Sequence, residues 1–131
     1  MGCHGGLSVS NVYTPTNERD WAETFLGDGA AVYVGNTGFG YGDSAAIAYS
    51  EDLNRRFAEE AFAGAADPAG AELTLGEALT VAKQAYKGEL AVVGAYDEKA
   101  MAELTLYGMP MYRVGGSAPA APVTALPKVA A

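Results

Sequence analysis

The chain has 131 residues, half of them hydrophobic, and a mean hydropathy near zero, which suits one globular domain, or part of one, with a modest core. Sixteen acidic against eight basic residues give a net charge of −8, so nucleic acid and anionic membranes are poor partners. No apolar run approaches the roughly 20 residues of a membrane span, and the N-terminus lacks the charged start and apolar core of a signal peptide.

The N-terminus carries the single cysteine and the single histidine side by side, within Gly2-Cys3-His4-Gly5-Gly6. Flanking glycines let a substrate carbonyl approach backbone N–H groups, and a thiolate attacks carbonyls, so Cys3 is a candidate nucleophile. The alternative is a small buried hydrophobe. His4 is a poor base for Cys3, because adjacent side chains on extended backbone point to opposite faces, and we predict a turn residue. No metal site is predicted, since zinc needs three or four protein ligands.

The first predicted elements are a helix and a short strand. Trp21, Phe25 and Leu26 recur at helical spacing over residues 18–26, and the glycines of residues 27–29 end that helix. Residues 30–34 are an uncharged apolar run, which predicts a strand covered on both faces by helices. Glycines at 35, 38, 40 and 42 predict a loop over residues 35–42, at the end of that strand.

Three more helices and a strand are predicted beyond this loop. Ser50 caps a helix that ends near residue 64, and the capping-box pattern Thr74-Leu75-Gly76-Glu77 opens another that Gly88 closes. A short helix capped by Asp97 precedes a strand over residues 110–114. Alternating strands and helices predict an α/β layer with parallel strands, whose carboxyl ends bring Cys3 and the loop together.

Four stretches, taken in order, resemble a known family. Cys3-His4-Gly5-Gly6 resembles the Cys-His-Ser-Gly nucleophile block of the metacaspases, and the rest of the chain is similar to gingipain-type cysteine peptidases of the same caspase-like clan. Residues 30–43 resemble the strand and substrate-lining loop of that family. Residues 75–88 stand where it carries a helix, and residues 106–112 are similar to its closing Tyr/Phe-Gly-Asp-Pro-Ser-Leu segment. Met109 and Met111 depart from that segment.

The resemblance implies the C-terminal half of a caspase-like domain, a parallel-strand sheet flanked by helices. Residues 1–114 would form it, and the Ala/Pro-rich residues 115–131 would be a linker or disordered tail. The family's base is a His followed by Gly on a strand before the cysteine block, so an upstream half of the same domain would supply it. The activity implied is endopeptidase cleavage of a peptide or protein substrate, without metal or cofactor, in a secreted or cell-envelope protein. The alternative is a non-catalytic caspase-like module for binding or structure.

The resemblance also assigns roles to individual residues. Cys3 is the nucleophile, and the backbone at Gly2 and Cys3 forms the oxyanion hole. Substrate would bind along residues 35–38, which are Gly35, Asn36, Thr37 and Gly38. Asp43 would meet a basic P1 side chain; its alternative is a cap or a solvated surface acid. Nucleotide binding is disfavoured, because Asp43 stands where a G-x-G-x-x-G loop has its third glycine.

Overall fold

The computed structural model describes residues 3–8, 19–66 and 73–115. Within these ranges the chain forms four helices and one two-stranded sheet, a mixed α/β fold, which confirms the predicted class. The helices and strands follow one another as α1 Trp21–Gly27, β1 Val32–Asn36, α2 Tyr49–Ala66, α3 Leu75–Glu89, α4 Ala95–Glu103 and β2 Leu104–Gly108. Gly2, and the predicted tail beyond residue 115, lie outside the described residues. No helix in these ranges is long and apolar enough to cross a membrane.

The two strands pair antiparallel, with Val32 opposite Gly108 and Asn36 opposite Leu104. The prediction of parallel strands is therefore wrong for this pair. The prediction rested on the alternation of strands and helices, which is typical of crossovers between parallel strands. Here three helices, α2, α3 and α4, lie between β1 and β2. A connection of several helices can return the chain to the sheet in either direction.

Both strands also differ in position from the prediction. β1 is displaced by two residues, so Gly35 and Asn36 belong to the strand and not to the loop. β2 precedes the predicted strand at residues 110–114, because Gly108 takes a φ of 101° that ends the extended run. Residues of this segment bond instead to the first turn of α3, where Gly76 N donates to Pro110 O at 2.8 Å.

Helix boundaries follow from local capping groups. Thr74 caps α3, and its hydroxyl and the Glu77 carboxylate form the reciprocal bonds of a capping box, as the sequence predicts. The cap of α4 is Gly94 rather than Asp97. Asp97 lies one turn inside that helix, where its two carboxylate oxygens accept from Gly94 N at 2.9 Å and from the Tyr86 hydroxyl at 2.6 Å.

The core lies between one face of the sheet and the helices α2 and α3. Leu53, Ala82, Tyr86 and Leu104 form one buried cluster, against which Val34 packs. A second cluster of Ala61, Leu75 and Ala78 receives Val32 and Leu106. Phe57 contacts both clusters and joins them. The large helices therefore cover the sheet face on which Val32, Val34, Leu104 and Leu106 lie, and this leaves the opposite face for the N-terminal residues.

Candidate functional site

The N-terminal residues 3–8, which we call the glycine turn, lie against the end of β1. His4 N donates to Gly38 O at 2.7 Å, and Gly6 N donates to Asn36 O at 2.8 Å. The residue numbers of the two pairs run in opposite directions, so the turn runs antiparallel along the strand end. The candidate nucleophile block and the candidate substrate-binding residues are thus adjacent.

Two tyrosine side chains of the sheet bond to the backbone of the glycine turn. Tyr33 and Tyr107 stand opposite each other on β1 and β2. The Tyr33 hydroxyl donates to Gly5 O at 2.7 Å, and the Tyr107 hydroxyl donates to Gly6 O. Burial raises the pKa of Tyr33 above its ordinary value, and the nearby Asp20 carboxylate adds to this rise. The Tyr33 phenol therefore remains a proton donor to the turn at neutral pH.

Gly6 and Gly35 are in direct backbone contact. A Cβ on Gly6 would lie 2.4 Å from Gly35 O, and a Cβ on Gly35 would lie 2.8 Å from Gly6 N. Either side chain would force the turn away from the strand. The sequence predicts a loop residue at Gly35. The glycine is required there instead by the close approach of the glycine turn.

Cys3 is a free and exposed cysteine, so the alternative of a buried hydrophobe is wrong. His4 follows it with a φ of 56°, in the left-handed region, and Leu7 N donates to His4 O at 3.0 Å to close the turn. The His4 ring packs edge-to-face on Phe39, with ring centroids 4.7 Å apart. His4 is thus a turn residue, as the sequence predicts.

A half-buried carboxylate with one buried oxygen lies on the loop side of the site. Glu103, the last residue of α4, lies against Gly38, where an added Cβ would meet its Cδ at 2.5 Å. Thr37 N donates to the backbone oxygen of Glu103 at 2.9 Å. Within the described ranges, Glu103 Oε2 and Asn36 Oδ1 are buried polar atoms without a hydrogen-bond partner. Sequence reasoning missed Glu103, since no motif distinguishes it from the other acids that end helices.

Asp43 is exposed and engages its own loop. Its Oδ1 accepts from Ala45 N at 2.7 Å and from Ala46 N at 3.2 Å, in a local turn six residues before α2 begins at Tyr49, so Asp43 is an exposed acid that caps no helix. Its second carboxylate oxygen has no such bond to these amides. The role of Asp43 in recognising a basic P1 side chain stays a prediction.

Two grooves among the described residues are lined by residues away from the glycine turn. One, of about 520 Å³, is lined mainly by the first turns of α3 with Pro110 and Met111. The other, of about 370 Å³, lies between α3 and β2. Cys3 is exposed, and the residues that line these two grooves do not include it.

No protein-family model, curated protein or solved structure matches this chain. Among the residues that the structure describes, no group of three histidine, cysteine, aspartate or glutamate side chains could hold a metal ion.

Proposed function

We propose that this chain is the nucleophile-bearing part of a caspase-like, gingipain-type cysteine endopeptidase. The observation that carries the proposal is the position of Cys3, an exposed thiol on a turn that is anchored beside the end of β1. A nucleophile works best when its position is held in advance, because the entropy of orienting it is then lost on folding rather than in the reaction.

The geometry of the turn supports this role. Two backbone bonds and two tyrosine hydroxyls hold residues 4–6. His4, directly after the thiol, takes a positive φ that costs a non-glycine residue free energy, and such conformations concentrate at functional sites. The surroundings thus impose a particular backbone at the nucleophile.

The outward-facing edge of β1 supports peptide binding next to Cys3. Asn36 O points away from β2, since it accepts from Gly6, and backbone groups two residues apart on a strand point the same way. The N–H and C=O groups of Val34 therefore also face outward. An extended substrate would pair with this edge and reach the thiol where the glycine turn crosses the strand end.

The proposed reaction is acyl transfer. The Cys3 thiolate attacks the scissile carbonyl, backbone N–H groups at Gly2 and Cys3 stabilise the oxyanion, and collapse gives a thioester and a free amine. A histidine from an upstream half of the domain gives the amine its proton, and then takes one from the water that hydrolyses the thioester.

The same upstream half would add strands to the small sheet. It would also cover an exposed aromatic row beside the turn, in which Phe25 stacks on Tyr33 at 5.4 Å and on Trp21 at 6.0 Å. Trp21 is 62% exposed and Phe25 is 45% exposed. Large apolar groups exposed together are typical of a surface that another part of a protein covers.

The second candidate is a non-catalytic caspase-like module for binding or structure. It is favoured by the His4 ring, which packs on Phe39, and by the grooves, which lie on α3 and β2 rather than around Cys3. In that case the glycine turn would only close the sheet face.

The test is active-site labelling of the protein expressed with its upstream segment. We expect a fluorescent acyloxymethyl ketone peptide to label Cys3, and Cys3→Ala to abolish labelling and peptide cleavage. His4→Ala is the matched control and should keep most of the activity, because its ring is not the base. The 131-residue chain alone should cleave nothing, since its thiol lacks a proton donor.

Two results would reject the proposal. One is cleavage that persists in Cys3→Ala. The other is a longer protein that folds, shown by a cooperative thermal transition, and yet neither cleaves peptides nor takes the label; this result would favour the binding module.

A further inference from the structure

A second candidate site lies on the opposite edge of the sheet, at the groove of about 370 Å³ between α3 and β2, which we call the β2 groove. One wall is a stripe of α3 that includes Leu79 and Lys83, and the other is β2 from Leu104 to Gly108. Apart from Lys83, its lining side chains carry no charge. Neither the glycine turn nor β1 contributes to it.

The outer edge of β2 presents backbone groups to this groove. Glu103 O accepts from Thr37 N, and Met109 N donates to Ala31 O. The backbone N–H and C=O groups of the odd-numbered residues of β2 therefore point toward β1. The even-numbered residues therefore point outward, and Leu104 O, which accepts from Lys83, agrees with this. The N–H and C=O of Leu106 accordingly face the groove, in position to pair with another strand.

Lys83 closes one end of this edge. Its Nζ donates to Leu104 O at 2.8 Å, which is where the N–H of an added strand would otherwise bind. The side chain is half-buried, and the salt bridges of the described residues do not include it. Burial lowers the pKa of Lys83 below its ordinary value, because the ammonium loses water and gains no carboxylate. Its remaining N–H donors suit an anion.

We propose that the β2 groove binds the C-terminal end of an extended apolar peptide, which pairs with Leu106 and places its terminal carboxylate on Lys83. A strand added here must stop at Lys83, because the ammonium occupies its path at Leu104. An antiparallel strand has its C-terminus at this end, so its carboxylate meets the one cation of the groove. The proposal is independent of the peptidase hypothesis, since Cys3 takes no part.

The test compares two fluorescein-labelled peptides of alternating valine and threonine, one with a free C-terminal carboxylate and one with a C-terminal amide. By fluorescence anisotropy, the acid should bind the full chain about tenfold more tightly than the amide. Lys83→Gln should remove that difference and Lys83→Arg should retain part of it. Lys87→Gln, at an exposed lysine one turn further along α3, is the matched control and should bind like the wild type.

A measurement on the wild type locates the peptide without any substitution. Hydrogen exchange followed by NMR should slow at the Leu106 amide when the acid peptide is added, and Cys3→Ala should behave in the same way. Equal affinity of acid and amide, or no binding at about 1 mM peptide, would overturn the proposal. Protection elsewhere would also overturn it, as would a second copy of the chain occupying the groove, seen as concentration-dependent dimerisation.

Discussion

The two faces of the small sheet are covered in different ways. On one face, Val34 and Leu104 pack into a buried apolar cluster with Leu53 and Tyr86 from α2 and α3. On the other face, the hydroxyls of Tyr33 and Tyr107 donate hydrogen bonds to carbonyl oxygens of the glycine turn. The first face is covered by hydrophobic contact over a large area, and the second by a few directional bonds, one backbone contact and the stacking of Phe25 on Tyr33.

This difference separates stability from positioning. Burial of apolar area stabilises the whole fold and tolerates small adjustments of side chains. The glycine turn contributes little area, yet the Gly6–Gly35 contact leaves no room for even one methyl group. We therefore expect changes on the helical face to lower global stability, and changes at the turn to act locally on Cys3.

The largest effect is expected at Leu53, which is fully buried between α2, α3 and β2. Leu53→Ala should lower the free energy of unfolding by about 3 kcal/mol, through lost burial and the cavity that remains. Urea denaturation followed by circular dichroism measures this. Phe62→Ala, at a side chain of the same helix that is 55% exposed, is the control and should cost much less. Similar losses for both would show that the helical face is not the core.

An intermediate effect is expected at Tyr86, the polar member of the helical face, which is 4% exposed and donates to Asp97. Tyr86→Phe leaves the Asp97 carboxylate without this donor and should cost about 2 kcal/mol at pH 7. Burial, first, and then the Asp97 carboxylate raise the pKa of Tyr86 above its ordinary value of 10.0.

This raised pKa gives the Tyr86 prediction a pH dependence. A group whose pKa is higher in the folded than in the unfolded state contributes stability below the unfolded pKa, and loses it as the pH rises above that value. The wild type should therefore lose stability above about pH 10. Tyr86→Phe should lose less over the same range, when urea denaturation is repeated between pH 7 and pH 11. Parallel pH profiles would contradict a buried, neutral phenol.

The smallest global effect is expected at Gly6. Gly6→Ala places a Cβ 2.4 Å from Gly35 O, and the turn should leave the strand end at a cost of about 1 kcal/mol, the worth of the bonds released. Amide exchange should quicken at His4 and Gly6 while α2 and α3 keep their protection. In the protein with its upstream segment, labelling of Cys3 should fall sharply.

Gly88→Ala is the matched control for that substitution. Gly88 lies in α3, and a Cβ there meets no atom within 4 Å. Because alanine favours helix over glycine, this variant should gain up to about 1 kcal/mol. A Gly6→Ala protein with unchanged exchange at His4 would show that the backbone contact does not hold the turn.

Helix positions were largely predictable from the sequence, because their signals are local. Thr74 and Glu77 marked the start of α3, and its predicted end at Gly88 lies one residue from the observed one. β2 was missed because Leu104 lies three residues after Met101, which is helical spacing. The hydrophobic pattern therefore could not show that α4 ends and a strand begins at Leu104.

The proximity of the cysteine block and the strand end was predictable from the sequence, but the groups that support it were not. The glycines and the single cysteine mark residues 3–6 in the printed sequence, and the turn beside residues 36–38 is where the nucleophile and strand end were expected to meet. Tyr107 and Glu103, which contact this region from β2 and α4, carried no local signal. Their contribution arises only when segments distant in the sequence come together.

The sequence by itself determined the start of α3, the acidic net charge and the presence of one thiol in a glycine-rich segment, because capping, charge and composition act within a few neighbouring residues. The tertiary structure decided the antiparallel direction of β2, the seat of the glycine turn and the place of Lys83 at the sheet edge. The Tyr107 hydroxyl meets Gly6 across 101 positions of sequence. Such contacts depend on how three helices return the chain to the sheet, and no local pattern encodes that path.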